Sequence, residues 1–416
     1  MIFFANVMKI FGIIEIIHYF CSIMLKICFI VDSLFSVGGV QRVTAVIAKQ
    51  LSKEDDVTIV SFDNPRTVDK SLYDLDTTNL HFLFCTFPQS NIILNLFRKS
   101  YSFLYKKFQP TSKIASDLYA LSSFPIEFRY SLIRILKQEN FDAIIGVHAP
   151  LAARLATLRK SISQNTKLIG WIHNSFEALF CDSSLYIGPD RKRHYVYQFR
   201  KLDDVVLLCQ HDAETYYHYD PLFRPTVIYN PLTLKPGSPA EGNSKRFLAV
   251  GRFARKHKGF DLLIEAFHLF AMKNNEWMLD IVGEGIEEKL YRELIKEYHL
   301  ENRVFIHPFT NQIQDYYSQA QVYVLSSRWE GFGLVLVEAM AHGLPIISSD
   351  LPTSKEIMGD FGLYFKNGDI NDLAEKLEAA TQLDWERKSQ EAIRIAQRFN
   401  VNHIVEQWKK LIEKDE

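Results

Sequence analysis

Short apolar runs alternate with longer amphipathic segments along most of the chain. The runs at residues 24–31 and 322–325 have the length and composition of buried strands. After the first run and a turn, apolar residues recur at helical spacing on one face, at Val40, Val43, Ile47 and Leu51. Strands that alternate with helices in this way predict an α/β fold with parallel sheets.

The strand–helix units fall into two halves. Residues 24–234 form the predicted first domain, residues 235–245 have the composition of a linker, and residues 246–398 form the predicted second domain. Residues 399–416 are predicted to form a terminal helix that braces the first domain, because three apolar residues share one face: Ile404, Trp408 and Leu411. The predicted fold class is α/β, with two doubly wound, Rossmann-like domains.

Residues 1–23 are apolar, but Lys9, Glu15 and His18 interrupt them, so no uncharged span is long enough for an ordinary membrane helix. No positive charge precedes the first apolar run and no small-residue cleavage site is evident, which argues against a secretory signal. We interpret this segment as an extension upstream of a start at Met24. The alternative is an amphipathic helix on a membrane surface.

Composition and charge restrict the class of protein only modestly. A formal net charge of −1 over 416 residues argues against a nucleic-acid-binding protein. The five cysteines are scattered and lack paired metal-ligand spacing, which predicts buried thiols in a reducing compartment, the cytoplasm.

The candidate chemistry is concentrated at residues 328–345. Glu330 lies in the turn after a predicted strand, and Glu338 lies about two turns further along the predicted helix. Carboxylates accept hydrogen bonds from hydroxyl groups. An anion can approach the free backbone N–H groups at the helix start, at Gly331, Phe332, Gly333 and Leu334. Because the turn follows a strand of a parallel sheet, we expect a ligand that carries phosphate and sugar; the alternative is a solvated helix with two surface glutamates.

Two cations follow the apolar run at residues 247–250. Arg252 and Lys258 could converge on a pyrophosphate and stabilise the charge of a leaving nucleotide without a metal ion. The alternative is an ordinary solvated basic loop. A later strand and turn, with Gly283 and Gly285, is a weak dinucleotide-like signal when taken alone.

The first half carries fewer candidate residues. Gly38 and Gly39 follow the first strand, either as an ordinary connection or as a loop that brings backbone amides to a ligand. His148 and His173 each end a predicted strand. A single histidine at a strand end is more often structural, but two at the carboxyl edge of successive strands favour a functional role.

The spacing of Glu330 and Glu338 around the Gly-Phe-Gly turn resembles the Glu-x7-Glu motif of retaining glycosyltransferases, in particular the large family 4. This resemblance extends from Met24 to the C-terminus and is more specific in the second half. It implies the GT-B fold, in which two Rossmann-like domains face each other across a cleft.

The resemblance also implies roles for single residues. Glu330 would contact the hydroxyl groups of the donor sugar, Glu338 the ribose, and Arg252 with Lys258 the diphosphate, while His173 would lie near the reacting carbon. The loop with Phe309 would hold the base, Gly39 and Gly283 would contact the donor, and Gly38 and His148 would lie on the acceptor side. Similar enzymes often carry glutamate where this chain has Gln41, which puts in question any role that requires a carboxylate there.

The expected function is transfer of a hexosyl or N-acetylhexosaminyl group from a nucleotide-diphosphate sugar, for which UDP-sugars are typical, to a glycan acceptor. The resemblance implies an undecaprenyl- or otherwise lipid-linked acceptor in capsule, O-antigen or exopolysaccharide synthesis, with no cofactor. No Asp-x-Asp pair lies where a metal would bridge a diphosphate, so we expect a metal-independent enzyme. The alternatives are an NAD-dependent oxidoreductase and a non-catalytic nucleotide-sugar-binding protein. The oxidoreductase alternative would require a Gly-x-Gly-x-x-Gly run after the first strand, and this sequence has none there.

Basic and aromatic residues interleave at residues 96–108. Such a segment fits an anionic membrane surface, where rings lie at the headgroup level and cations meet phosphates. This favours a peripheral enzyme at the inner face of the plasma membrane. The alternative is a helix with one solvated face and one apolar face in the core.

Overall fold

The computed structural model describes residues 24–85, 92–181, 184, 186–235 and 239–413, without the side chains of residues 255 and 256. The predicted extension at 1–23, part of the predicted linker and the last three residues lie outside these ranges. Within them the chain forms two parallel sheets, each with helices on both faces, as the α/β prediction requires.

The first sheet has seven strands in the order 3-2-1-4-5-6-7. Its strands are β1 Lys26–Val31, β2 Asp56–Ser61, β3 His81–Phe84, β4 Ala143–Val147, β5 Lys167–Trp171, β6 Asp204–Leu207 and β7 Thr226–Val227. The helices of this half are α1 Gly39–Leu51, α2 Ile92–Phe108, α3 Lys113–Ser123, α4 Ile126–Glu139, α5 Ala149–Ala156, α6 Phe176–Phe180, α7 Lys192–Phe199 and α8 Gln210–Tyr219.

The second sheet has six strands in the order 10-9-8-11-12-13. Its strands are β8 Arg246–Val250, β9 Met278–Val282, β10 Val304–His307, β11 Val322–Leu325, β12 Ile346–Ser349 and β13 Leu363–Phe365. The helices are α9 Arg255–Lys258, α10 Phe260–Ala271, α11 Glu288–Glu297, α12 Ile313–Gln319, α13 Leu334–Ala341, α14 Pro352–Met358, α15 Ile370–Ala380, α16 Trp385–Ala396 and α17 Val401–Ile412.

The central strands are continuous apolar runs because helices cover both faces of each sheet. In β1 every residue from Ile27 to Val31 is buried, and in β11 all four residues are. The edge strands β3 and β13 were not predicted from the sequence. They are short and only partly buried, so they lack a strong apolar pattern.

The strand order reverses direction at one place in each sheet. These switch points lie between β1 and β4 and between β8 and β11. Helices leave such a point in opposite directions, so the loops at the carboxyl ends border a crevice where ligands bind. The crevice of the first sheet carries Gly38, Gly39 and His148, and that of the second carries Arg252 and Glu330.

The last helix, α17, packs on the first domain. The rings of Trp408 and Trp171 meet edge to face with centroids 4.8 Å apart. Lys167 Nζ donates to the Leu411 carbonyl at 2.6 Å, and Lys409 pairs with Glu54. A second contact between the halves comes from Glu356 of α14, which accepts hydrogen bonds from the backbone N–H of Gln210 at 2.6 Å.

Candidate active site in the cleft

Glu338 is a carboxylate buried between the two domains. Its helix, α13, begins after Gly333, whose φ of 81° lies in the left-handed region that favours glycine. Glu338 is only 2% exposed, so its charge has to be compensated by partners. Its Oε1 accepts from the Arg42 guanidinium of the first domain and from Thr233 Oγ1 at 3.2 Å, and its Oε2 accepts from Tyr317 Oη at 3.1 Å.

Glu330 is the second buried carboxylate, at 8% exposure. It forms an ion pair with Lys258 and accepts a hydrogen bond from Ser327 Oγ at 2.7 Å. Burial raises the pKa of Glu330, but the charge of Lys258 and the hydrogen bonds from Lys258 and Ser327 lower it by more, so the net pKa lies below its ordinary value. Glu330 is therefore ionised at neutral pH.

Close packing of three loops places Lys258. Its Cε would lie 3.1 Å from a Cβ on Gly251, so the lysine stem runs over a position that has no side chain. A Cβ on Gly283 would collide with the carbonyl oxygen of Gly251, and one on Gly285 would lie 2.6 Å from that of Phe253. Packing between loops therefore accounts for the glycines at 283 and 285 without a dinucleotide.

Arg252 lies between β8 and α9, the short helix that ends at Lys258, and is exposed. The charge of Arg252 acts on the hydroxyl group of Tyr186, a residue of the first domain. Burial raises the pKa of Tyr186, the charge of Glu330 raises it further, and Arg252 and a hydrogen bond with Asn174 oppose the increase. Asn174 and Tyr186 thus face the cations and carboxylate of the second domain. Neither was predicted, because an isolated Asn or Tyr in a loop carries no spacing signal.

His257 is a further site residue that the sequence reasoning missed. Its Nε2 lies 3.8 Å from Glu330 Oε2, and its ring stacks on Trp329 with centroids 5.6 Å apart. Burial and the charge of Lys258 lower the pKa of His257 to about 4, so the ring is neutral at pH 7. The only hint in the sequence was its position directly before Lys258.

His173 of the first domain lies against Gly331, next to Glu330. A Cβ on Gly331 would collide with the His173 carbonyl oxygen, so the absence of a side chain there lets the two domains touch. The His173 ring is buried, and within the described ranges its Nε2 has no hydrogen-bond partner. Burial lowers the pKa of His173 well below its ordinary value, and nearby His148 lowers it further. His173 is therefore neutral.

The loop after His173 is fixed by buried polar groups. Ser175 Oγ accepts from the Ala178 N–H at 3.2 Å and caps α6, while Asp212 accepts from the Phe176 N–H at 3.0 Å. Burial raises the pKa of Asp212 to about 7. His148 adjoins this loop, with its ring centroid 5.4 Å from that of His173. Its φ of 77° is strained for a residue with a side chain, as found at functional sites.

The glycine loop meets the second domain at the start of α13. A Cβ on Gly39 would lie 3.3 Å from Leu334 Cδ1. Gly38 is held by Tyr73, whose hydroxyl accepts from the Gly38 N–H at 3.1 Å and donates to the Ser36 carbonyl at 3.1 Å.

Two predicted donor contacts, Phe332 and Phe309, differ in what their side chains can do. The Phe332 ring is 3% exposed and packs between Tyr229 and Phe399, so any donor contact from this residue must come from its backbone. Phe309 follows β10 and is 42% exposed, so its ring is accessible.

The cleft thus combines carboxylates, which suit hydroxyl groups, with cations, which suit phosphates. This arrangement between two Rossmann-like domains is that of a GT-B group-transfer enzyme. Residues 37–235 match the family model described as Glycosyltransferase Family 4, and residues 233–399 match that of the Glycosyl transferases group 1. The chain belongs to the family 4 glycosyltransferases, as the motif at Glu330 and Glu338 indicated.

Similar proteins are found over nearly the whole chain. An uncharacterised glycosyltransferase of Haemophilus influenzae is 26% identical over 396 residues, which cover 94% of this chain and 100% of the relative. The N-acetylgalactosamine-N,N'-diacetylbacillosaminyl-diphospho-undecaprenol 4-alpha-N-acetylgalactosaminyltransferase of Campylobacter jejuni is 27% identical over 368 residues, 85% of this chain and 89% of the relative. The crystal structure of Anabaena HepE with UDP and glucose superposes with a TM-score of 0.69 at 18% identity, covering 93% of this chain and 99% of HepE.

Proposed function

We propose that this glycosyltransferase moves a hexosyl or N-acetylhexosaminyl group from a nucleoside-diphosphate sugar to a glycan acceptor, with retention of the anomeric configuration and without a metal ion. The observation that carries the proposal is the ion pair of buried Glu330 with Lys258 in the cleft, next to Gly331, which meets His173 of the opposing domain. Glu330 orients the sugar hydroxyl groups, Glu338 binds the ribose, and Lys258 with Arg252 holds the diphosphate.

In the proposed reaction the bond between the anomeric carbon and the β-phosphate oxygen breaks, and the nucleoside diphosphate leaves with the bonding electrons. Lys258 and Arg252 stabilise the charge that develops on this diphosphate. The acceptor hydroxyl attacks the same face of the sugar ring, and its proton passes to the departing phosphate oxygen. Because His173 is neutral, its ring can lie over the positively charged sugar without electrostatic repulsion.

The substrates are inferred from similar proteins. HepE binds UDP and glucose, which favours a UDP-sugar donor here. The named Campylobacter jejuni relative acts on an undecaprenol-diphosphate-linked glycan, which favours a lipid-linked acceptor. Relatives named for amylovoran and O-antigen biosynthesis favour a role in the assembly of a bacterial surface polysaccharide.

Calorimetry and product analysis test this function. We expect UDP to bind to the purified protein and NADH not to bind, and we expect turnover of at least one UDP-sugar with a lipid-linked glycan. Proton NMR of the product should show an α-linkage from an α-linked donor. A β-linked product would contradict retention, and NADH binding in place of UDP would support the oxidoreductase alternative.

We further propose that α2 contacts an anionic membrane surface. Its apolar residues Ile93, Phe97, Leu104 and Phe108 recur at helical spacing, and all four are exposed. Among the described residues of α2 only Tyr105 is buried, so this stripe is not packed into the core. Three lysines on the same helix supply positive charge: Lys99, Lys106 and Lys107. None of the helices in the described ranges is both long and apolar enough to cross a membrane.

Replacing Lys99, Lys106 and Lys107 together by serine should weaken binding to anionic vesicles by tenfold or more, because each lysine near such a surface contributes about 1 kcal/mol. Arg98 is left in place because its Nε donates to the Ser122 carbonyl at 2.7 Å. Co-sedimentation with phosphatidylglycerol vesicles measures the effect. A matched control replaces Lys273, Lys289 and Lys296, exposed lysines of the second domain, by serine. Equal binding by both triple variants would show that α2 is not the membrane contact.

A further inference from the structure

The ion pair between Arg42 and Glu338 joins the two domains at the proposed ribose site. Arg42 lies in the first turn of α1, three residues after Gly39, and Glu338 lies in α13. The two residues are 296 positions apart in the sequence. The same two helices also approach each other at Gly39 and Leu334, so the contact involves both helix starts.

Arg42 compensates the negative charge of the buried Glu338, so this pair differs from an ion pair on the surface. Of the three groups that donate to Glu338 in the described part of the chain, Arg42 alone is charged; Thr233 and Tyr317 are neutral. If the domains separated, Glu338 would keep Tyr317 of its own domain as a neutral donor and lose its cation. A buried carboxylate is strongly destabilised by such a loss, so closure of the cleft and the charge balance of Glu338 are linked.

Hydrogen-bonding capacity remains on both sides of the pair. Glu338 Oε1 accepts from Arg42 and Thr233, whereas Oε2 accepts only from Tyr317 among the contacts that the structure records. Oε2 can therefore accept a further hydrogen bond from a ribose hydroxyl. On the other side, the Arg42 Nε–H is buried and has no partner within the described residues.

We propose that Arg42 is a positioning residue for the donor nucleotide: it holds Glu338 from the opposing domain, so that the ribose subsite is complete only when the cleft is closed. This inference rests on the proposed role of Glu338 in ribose binding. It assigns to the first domain a part in donor recognition. The basic residue that plays this part directly follows Gln41, and it is at Gln41 that similar enzymes often carry glutamate.

Arg42→Met keeps much of the length of the side chain and removes the guanidinium. Calorimetry with UDP should show a Kd about 10- to 100-fold higher than that of the unchanged protein, as expected for the loss of charge-assisted hydrogen bonds. The donor KM should rise in parallel, while kcat changes by less than about threefold. Arg42→Lys keeps the charge but lacks Nε–H and the planar fork, so it should restore only part of the affinity. Lys409→Met, which removes the ion pair with Glu54 away from the cleft, should leave both constants unchanged.

A double-mutant cycle tests whether Arg42 acts through Glu338. If it does, Arg42→Met should weaken UDP binding much less in a Glu338→Gln background than in the unchanged protein. Fully additive effects, or an unchanged Kd for a folded Arg42→Met variant, would overturn the inference. Failure of the unchanged protein to bind any nucleoside diphosphate would instead overturn the proposed function, so the two failures are distinguishable.

Discussion

Lys258→Ala and Arg252→Ala should each lower turnover by about 30- to 1,000-fold at saturating donor and acceptor. Both cations are proposed to stabilise the charge that develops on the leaving diphosphate, and removing one such group from an active site typically costs about 2–4 kcal/mol at the transition state. A loss of that size corresponds to a factor of about 30 to 1,000 in rate. Initial rates of UDP release measure the effect, with thermal unfolding as the check that each variant is folded.

The two variants should differ in stability. Lys258 is the ion-pair partner of a buried carboxylate, so Lys258→Ala leaves Glu330 without its closest cation and should lower the unfolding temperature. Arg252 is exposed, so Arg252→Ala should leave the unfolding temperature nearly unchanged.

Matched controls are available in the same domain. Lys245 pairs with Glu276 at 2.7 Å before β8, at the opposite edge of the sheet from the cleft, and Arg292 pairs with Glu288 on α11. Lys245→Ala and Arg292→Ala should retain full turnover. Near-normal turnover in both Lys258→Ala and Arg252→Ala would show that these cations do not stabilise the leaving group.

The α/β fold class was predictable because parallel strands covered on both faces are continuous apolar runs. Residues 322–325 form β11 as the pattern predicted, and the helix after the Gly-Phe-Gly turn begins at Leu334. The edge strand β3 lacks this signal: it has no buried residue in its four positions, so burial leaves no clear mark on its sequence.

Placement of residues at the carboxyl edges of strands was also predictable, because parallel strands bring those ends together. Arg252, Lys258 and Glu330 lie in the connections that follow β8 and β11, which are neighbours in the sheet. The contacts across the cleft were not predictable from periodicity. The pairing of Arg42 with Glu338 and the approach of Gly331 to His173 depend on how the two domains dock, which no local pattern encodes.

Side-chain direction was the other missing part. The residues at 331–334 were expected to contact an anion through backbone N–H groups, and the direction of the Phe332 ring, which packs between Tyr229 of the first domain and Phe399 of the C-terminal region, was not predicted. Such a residue follows the same helical and turn pattern whether its ring faces a ligand or the core. His257 is the reverse case. Its ring lies next to Glu330, although the basic composition of residues 255–258 is typical of a solvated surface.

Glu330→Gln should lower kcat/KM for the donor by about 10- to 100-fold. The glutamine has the same shape, but it replaces an ionised acceptor of sugar hydroxyl groups by a neutral one, and hydrogen bonds to charged groups contribute about 1.5–3 kcal/mol. The carboxylate also lies where positive charge develops on the sugar ring in the proposed reaction. Because the pKa of Glu330 lies below its ordinary value, the loss should be present throughout the neutral pH range.

The control for this variant is Glu276→Gln, which neutralises an exposed carboxylate that is also paired with a lysine. Steady-state rates at varied UDP-sugar concentration should show normal constants for Glu276→Gln and a reduced kcat/KM for Glu330→Gln. UDP, which lacks the sugar, should bind Glu330→Gln with an affinity within a few-fold of the unchanged protein, because Glu330 is assigned to the sugar and Glu338 to the ribose. If UDP binding falls as far as kcat/KM does, Glu330 acts on the nucleotide, and its assignment to the sugar hydroxyl groups is wrong.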